Sequence, residues 1–258
     1  MNPLVHPLLL FEDNYGYVLT EPGSNRAVIV DPSDGERVWD FLQTKGYELE
    51  AILATHHHFD HVAGIEFLTS QKPVTVYSSP QDLDRVPKAN RSLEDWEKIN
   101  IGGLTIQAIH VPGHTLGHVA YRCEDTLFVG DTLFLGGCGR LFEGTAEQLF
   151  HSLYEKIIPL PANTRVYPGH EYTVRTRSFC YSIDATNKQL QDELFKAKAL
   201  REKGLFTVPG SLKVETQTNI FLRCKNPDVI HAVQAQAPVV SSDPRAVFKQ
   251  LRSMMDVY

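Results

Sequence analysis

The stretch Thr55-His56-His57-His58-Phe59-Asp60-His61 puts four histidines and an aspartate within six residues of one another. Just before it, Ala51-Ile52-Leu53-Ala54 is a short apolar run that reads as a buried strand. Just after it, Val62-Ala63-Gly64-Ile65 returns to apolar residues. The cluster therefore falls where a strand ends and a helix begins. Imidazole and carboxylate are the donors that borderline divalent metals such as zinc take. A purification tag or a low-complexity histidine tract offers the same donors. This run, however, is internal, and Phe59 and Asp60 interrupt it.

The pattern His-x-His-x-Asp-His resembles the signature of the metallo-β-lactamase superfamily, which implies an αβ/βα sandwich with one or two metals at its edge. That resemblance calls for further ligands, each at the end of a strand. A histidine follows Ile106–Val111 in Pro112-Gly113-His114-Thr115. An aspartate closes Leu127-Phe128-Val129-Gly130-Asp131, and a last histidine closes Val166-Tyr167-Pro168-Gly169-His170. The implied assignment gives His56, His58 and His114 to a first metal, and Asp60, His61 and His170 to a second. Asp131 bridges both. Two divalent ions per chain are expected, zinc first, with iron or manganese also suited to His/carboxylate ligands.

His110, His114 and His118 are spaced by four, which on a helix would align them on one face. Pro112 and Gly113 oppose a helix there. The reading is a strand ending near Val111 and a turn presenting His114, with His110 and His118 structural. His57 points away from the metals, because alternate residues of an extended segment face opposite ways. His6, His151 and His231 have no motif around them.

The 258 residues suffice for one large domain or a domain plus a smaller one. A net charge of −6 argues against a nucleic-acid surface. No apolar run approaches the ~20 residues of a membrane span, and the N-terminus lacks the basic start of a secretory signal. Cys123, Cys138, Cys180 and Cys224 are widely spaced and form no CxxC pair, so they read as free thiols in a reducing, cytoplasmic setting. Cys138 is read as structural.

Strands are expected at Leu8–Phe11, Tyr15–Leu19, Ala27–Val30, Val74–Tyr77, Leu104–Ile109, Val119–Tyr121, Leu127–Val129 and Arg165–Tyr167. Helices are expected near Glu36–Lys45, after Asp60, and from the Thr145-x-x-Gln148 capping box to about Ile158. After residue 172 the composition turns helical. Asp184–Lys203 reads as one helix closed by Gly204, and Asp243-Pro244 starts another. This divides the chain into a metal-binding domain, 1–172, and an all-helical domain, 173–258, forming one wall of a substrate cleft.

The blocks Thr55–His58, Pro112–Thr115, Gly130-Asp131-Thr132-Leu133-Phe134, Gly137-Cys138-Gly139-Arg140-Leu141-Phe142-Glu143-Gly144-Thr145 and Gly169-His170-Glu171-Tyr172-Thr173 narrow the resemblance to the glyoxalase II, or hydroxyacylglutathione hydrolase, family. It covers nearly the whole chain. It implies hydrolysis of S-D-lactoylglutathione to glutathione and D-lactate, a step in methylglyoxal detoxification, by a metal-bridging hydroxide. Asp60 and Asp131 are then the catalytic carboxylates. Arg140, Phe142, Tyr172 and Arg252 are the residues implied for the glutathione moiety, which carries two carboxylates suited to arginine. The chain departs from the family in having Phe142 for a frequent tyrosine and Met255 for the second of a C-terminal basic pair; Lys249 or Arg245 are possible substitutes. A monomer without nucleic-acid or membrane partners is expected. The competing readings are a persulfide dioxygenase using one iron, a lactonase or β-lactamase of the same fold, and a non-catalytic metal-binding protein.

Overall fold

The computed structural model describes residues 2–237 and 240–258. The chain forms two compact units. The first comprises residues 1–111, 116–130 and 167–170; the second comprises 112–115, 131–166 and 171–258. Residues 131–166 thus fold with the C-terminal helices.

In the first unit, β1 (Leu4–Leu9), β2 (Tyr15–Thr20), β3 (Arg26–Val30), β4 (Glu48–Leu53), β5 (Thr75–Ser78) and β6 (Arg91–Ser92) form one sheet in that order. β1 lies at the sheet edge, where Pro7 removes no ladder bond that a central strand would need. It ends at Leu9, two residues short of the expected Phe11. β3, β4 and β5 run parallel. The end of β4, Ala51-Ile52-Leu53, is wholly buried, as a parallel strand covered on both faces must be.

Helix α1 (Gly35–Lys45) is capped by the Asp34 carboxylate, which accepts from Arg37 N, and is stopped by Gly46 in the left-handed region (φ 67°). Two short helices, α2 (Phe59–Val62) and α3 (Ile65–Gln71), follow the histidine cluster. Val38 and Leu42 of α1 and Ile65 and Leu68 of α3 join Val18, Ile29, Ile52 and Val76 in one core cluster.

A second sheet of this unit holds β7 (Lys98–Ile101), β8 (Leu104–His110), β9 (Val119–Cys123) and β10 (Thr126–Gly130) as antiparallel neighbours. β13 (Arg165–Pro168) comes next to β10 in the sheet order. The two sheets meet through aromatic rings: Tyr17 lies 5.2 Å from Phe128 and 5.3 Å from Tyr167. Such ring pairs add to the area that they bury.

In the second unit, β11 (Leu133–Phe134) and β12 (Gly137–Cys138) make a small hairpin. Helix α4 (Ala146–His151) carries the full capping box, Thr145 with Gln148, and runs on as a wider π-type turn through Ile157. The first half of β13 pairs with β14 (Gly210–Ser211), so the C-terminal part is not wholly helical. The helices are α5 (Thr173–Ile183), α6 (Lys188–Glu202), α7 (Leu212–Thr218), α8 (Pro227–Gln236) and α9 (Pro244–Asp256).

Helix α5 falls inside the region read as helical but had no bounds of its own in sequence, because Thr, Val, Ser, Phe, Cys and Tyr are middling helix formers and only packing decides for them. It and α7 hold the hairpin. Thr176 Oγ1 donates to Leu135 O at 2.7 Å, and Gly136 N donates to the buried Glu215 carboxylate at 2.7 Å. Asn219 Nδ2 donates to Gly137 O at 3.0 Å.

Candidate metal centre and adjoining cleft

The parallel strands β3 and β4 end side by side, with Val30 opposite Leu53. The residues that follow each strand are therefore neighbours, at the carboxyl edge of the sheet where α/β proteins place ligands. Asp31 follows β3, and Thr55 and the histidines follow β4. The buried Asp31 carboxylate accepts from Thr55 N at 2.8 Å and from Thr55 Oγ1 at 2.7 Å. His61 Nδ1 stands 3.0 Å from Asp31 Oδ2. His61 Nδ1–H thus donates to Asp31, and Nε2 is the nitrogen left for a metal.

His170 is oriented in the same way. Its Nδ1 lies 2.9 Å from Asp13 Oδ1, and its Nε2 lies 3.4 Å from Asp60 Oδ2. Tyr15 N donates to Gly169 O at 2.8 Å, pinning the turn that presents His170. Asp60 is positioned by Asn14, whose side-chain amide donates to Asp60 Oδ2 at 2.9 Å and to its backbone oxygen at 2.8 Å. Ser33 Oγ donates to the same backbone oxygen. Asp60, His61 and His170 offer donor atoms within 4.8 Å of one another.

His56 and His58 complete this unit's set. His56 Nδ1 meets Thr55 Oγ1 at 3.0 Å, and His56 Nε2 and His58 Nδ1 face each other at 3.0 Å. His57 turns instead to Asp82 (3.1 Å) and Arg85 (2.6 Å), as the alternation of an extended segment requires. His110 Nε2 is bonded to Leu93 O at 2.8 Å, and His118 is buried, its ring stacked on that of His56. Neither belongs to a group of candidate metal donors among the described residues.

The second unit carries His114 and Asp131, both buried, with Nε2 and Oδ2 3.6 Å apart. His114 Nδ1 donates to Arg140 O at 2.7 Å, again leaving Nε2 for a metal. Phe142 N and Glu143 N donate to His114 O at 3.1 and 3.3 Å. This close wrapping needs Gly139: a Cβ there would lie 1.9 Å from Asp131 O. His61, His170 and His114 thus share one arrangement, Nδ1 engaged outward and Nε2 presented to carboxylates. Hard and borderline oxygen and nitrogen donors so fixed suit a divalent cation.

Beside His114 and Asp131 the second unit has a cleft of about 230 Å³, lined among others by Phe134, Arg140, Tyr172, Arg175, Arg252 and Met255. Tyr172 packs edge-on to Phe134 at 5.2 Å. The Phe142 ring, 62% exposed, meets the His114 ring edge-on at 5.3 Å. Arg252 is buried; it donates to Cys138 O at 2.7 Å and to Asp256 Oδ1 at 3.1 Å. Arg140 Nε also bonds Asp256 Oδ1 at 3.1 Å. Lys249 and Arg245 do not line this cleft; Arg245 faces Glu147 at 3.8 Å. Burial pushes the Cys138 thiol up to about 11 against the opposing pull of Arg252, so it stays protonated, as a structural cysteine does.

The chain matches the metallo-β-lactamase superfamily over residues 12–170 and the hydroxyacylglutathione hydrolase C-terminus over residues 171–258. A hydroxyacylglutathione hydrolase of Methylobacillus flagellatus is 42% identical over 250 residues, 96% of each chain. One of a Synechococcus sp. is 43% identical over 249 residues, 95% of this chain and 96% of that one. The chain belongs to the hydroxyacylglutathione hydrolase family.

Among solved structures, TTHA1623 in a di-iron-bound form is similar with a TM-score of 0.59 and 29% identity, over 86% of this chain and 100% of that one. The metallo-β-lactamase fold is shared. Asp13, Asn14 and Asp31, which hold His170, Asp60 and His61 in this hydroxyacylglutathione hydrolase family member, are not among the residues that the sequence motifs single out. A trace of them exists in sequence: each stands at the start or end of an apolar strand. Arg175 was also passed over, although it lies three residues after Tyr172, on the same side of α5.

Proposed function

We propose that this protein hydrolyses glutathione thioesters, chiefly S-D-lactoylglutathione, to glutathione and a hydroxy acid. The observation that carries the reading is the kinship to hydroxyacylglutathione hydrolases along 96% of the chain, which includes the helices lining the cleft beside His114 and Asp131.

In this reading His56, His58 and His114 would hold one divalent metal, and Asp60, His61 and His170 a second, with Asp131 available to both. Two such ions supply Lewis acidity and bring the pKa of a bound water toward ~7. The di-iron form of TTHA1623 supports a pair of ions, and zinc is the first expectation for His/carboxylate donors. Asp31, Asp13 and the Arg140 carbonyl keep three imidazoles in the tautomer that presents Nε2. Asp60, held by Asn14, orients the attacking water by accepting a hydrogen bond from it. A C–O bond forms at the thioester carbon, the C–S bond breaks, and the departing thiolate takes up the proton lost by the water to leave as glutathione. Tyr172 offers its hydroxyl to the peptide of the carrier. In this reading Arg140 and Arg252 stand toward its carboxylate end, and Phe142 lies along its flank.

A complete second set of donors supports hydrolysis over a persulfide dioxygenase that needs one iron. The family domains meet between residues 170 and 171, in support of the division 1–172 and 173–258. Among the described residues no helix is long and apolar enough to cross a membrane. The four buried cysteines form no disulfide, which supports a cytoplasmic setting. The chain is read as a monomer, without a nucleic-acid partner at its net charge of −6.

The test is hydrolysis of S-D-lactoylglutathione, with metal content measured on the same sample. Turnover with close to two ions per chain is expected. No turnover in the two-metal protein would end the thioesterase reading, and full turnover with one ion would end the two-metal one.

A further inference from the structure

Three arginines line the cleft of the second unit: Arg140, Arg175 and Arg252. Two of them are already answered by one carboxylate. Asp256, on the last turn of α9, receives Arg140 Nε and Arg252 Nη2, each at 3.1 Å. Arg252 is further tied to Cys138 O and lies over the Phe221 ring, so its guanidinium is built into the wall. The next position of α9 that faces the cleft is Met255, which adds no charge. A substrate carboxylate arriving at Arg140 and Arg252 must compete with an aspartate that is covalently tethered and always present. Tethering gives such a competitor a high effective concentration.

Arg175 is different. It stands on the first turn of α5, exposed, three residues after Tyr172 and next to Thr176, both of which also line the cleft. Among the described residues no carboxylate pairs with it: the ion pairs of the other two arginines end at Asp256, and Arg175 has no partner of its own. An arginine without a counter-ion on the wall of a cleft is set to take a carboxylate in a charge-assisted, two-pronged bond.

We infer that Arg175 is the residue that determines specificity for an anionic thiol carrier in this chain, receiving a carboxylate that Asp256 keeps from Arg140 and Arg252. The inference rests on the thioesterase reading for its choice of carrier, and it concerns binding, which is measured apart from turnover. Asp256 acts as an internal substitute for the substrate's second carboxylate. A carrier with one well-placed carboxylate is therefore favoured over one whose recognition needs three free cations.

The experiment is calorimetric titration of the metal-loaded protein with S-methylglutathione and with its diethyl ester, in wild type, Arg175→Ala, Arg175→Lys and Asp256→Asn. The wild type should bind the acid at least about ten-fold more tightly than the ester, the size expected of one charge-assisted contact. Arg175→Ala should bring the two ligands within about two-fold, Arg175→Lys should recover part of the preference, and high salt should shrink it. Asp256→Asn should tighten the acid alone, because it frees the other two cations. Full preference for the acid in Arg175→Ala overturns the inference, as does a wild type that does not distinguish acid from ester. Preference lost in Arg175→Ala, in a protein that fails to hydrolyse S-D-lactoylglutathione, would instead uphold the binding role and defeat the thioesterase reading.

Discussion

Asp31 Oδ2 lies 3.0 Å from His61 Nδ1, and the same buried carboxylate takes two hydrogen bonds from Thr55. One aspartate thus fixes both the start of the histidine segment and the orientation of a ligand six residues on. Outer partners of this kind typically affect metal affinity by 10–100-fold. Asp31→Asn, similar in shape but without charge, should lower the affinity of the His61 site by about that factor while far-ultraviolet circular dichroism stays unchanged. Competition with a chromogenic chelator reads it directly. Unaltered affinity would mean that Asp31 serves folding alone.

Tyr172 lies on the cleft wall beside Phe134, one residue before α5. Its proposed contact is with a remote part of the substrate, so Tyr172→Phe should raise KM several-fold with kcat little changed. Steady-state kinetics on S-D-lactoylglutathione check it. A large fall in kcat at constant KM would place the hydroxyl at the reacting carbon instead.

Arg252 supports Cys138 O and Asp256 from within the wall. Removing it leaves a buried carbonyl without its donor, which costs about 1–3 kcal/mol. Arg252→Ala should therefore be less stable to urea by that amount, in addition to any rise in KM. A variant as stable as wild type but weak in substrate binding would restore Arg252 to a direct contact.

Burial pushes the Cys180 and Cys224 thiols up to about 12 from an ordinary 9.0. The folded protein therefore holds these protons where the unfolded chain has released them. With more protons bound in the native state, stability falls as pH rises, beginning near the unfolded value of 9.0 and continuing to about 12. Each thiol contributes a slope of about 1.4 kcal/mol per pH unit in that window. Thermal melts between pH 8 and pH 11 should show a falling Tm, with a shallower decline in Cys180→Ala. An identical decline in that variant would assign the alkaline loss to other groups.

Met255 and the ion pairs of Asp256 show where sequence and structure part. The sequence alone identified every strand that ends in a metal-ligand candidate, because short apolar runs and their closing His, Asp or Gly lie within a few residues of each other. It likewise marked the Thr145–Gln148 cap, a pattern of four consecutive positions. It did not reveal Asp31, since the partner strands β3 and β4 are brought together by parallel pairing across the whole of α1. Nor did it show that Arg252 is buried, that Asp256 answers two arginines, or that Arg175 is left without a counter-ion. Those facts depend on helices α5 and α9, whose cleft-facing residues are chosen by packing, and on charges whose partners lie up to 116 positions away in the chain. Local patterns determined which atoms can do chemistry here; long-range burial decided which of them are held, which are neutralised and which remain available.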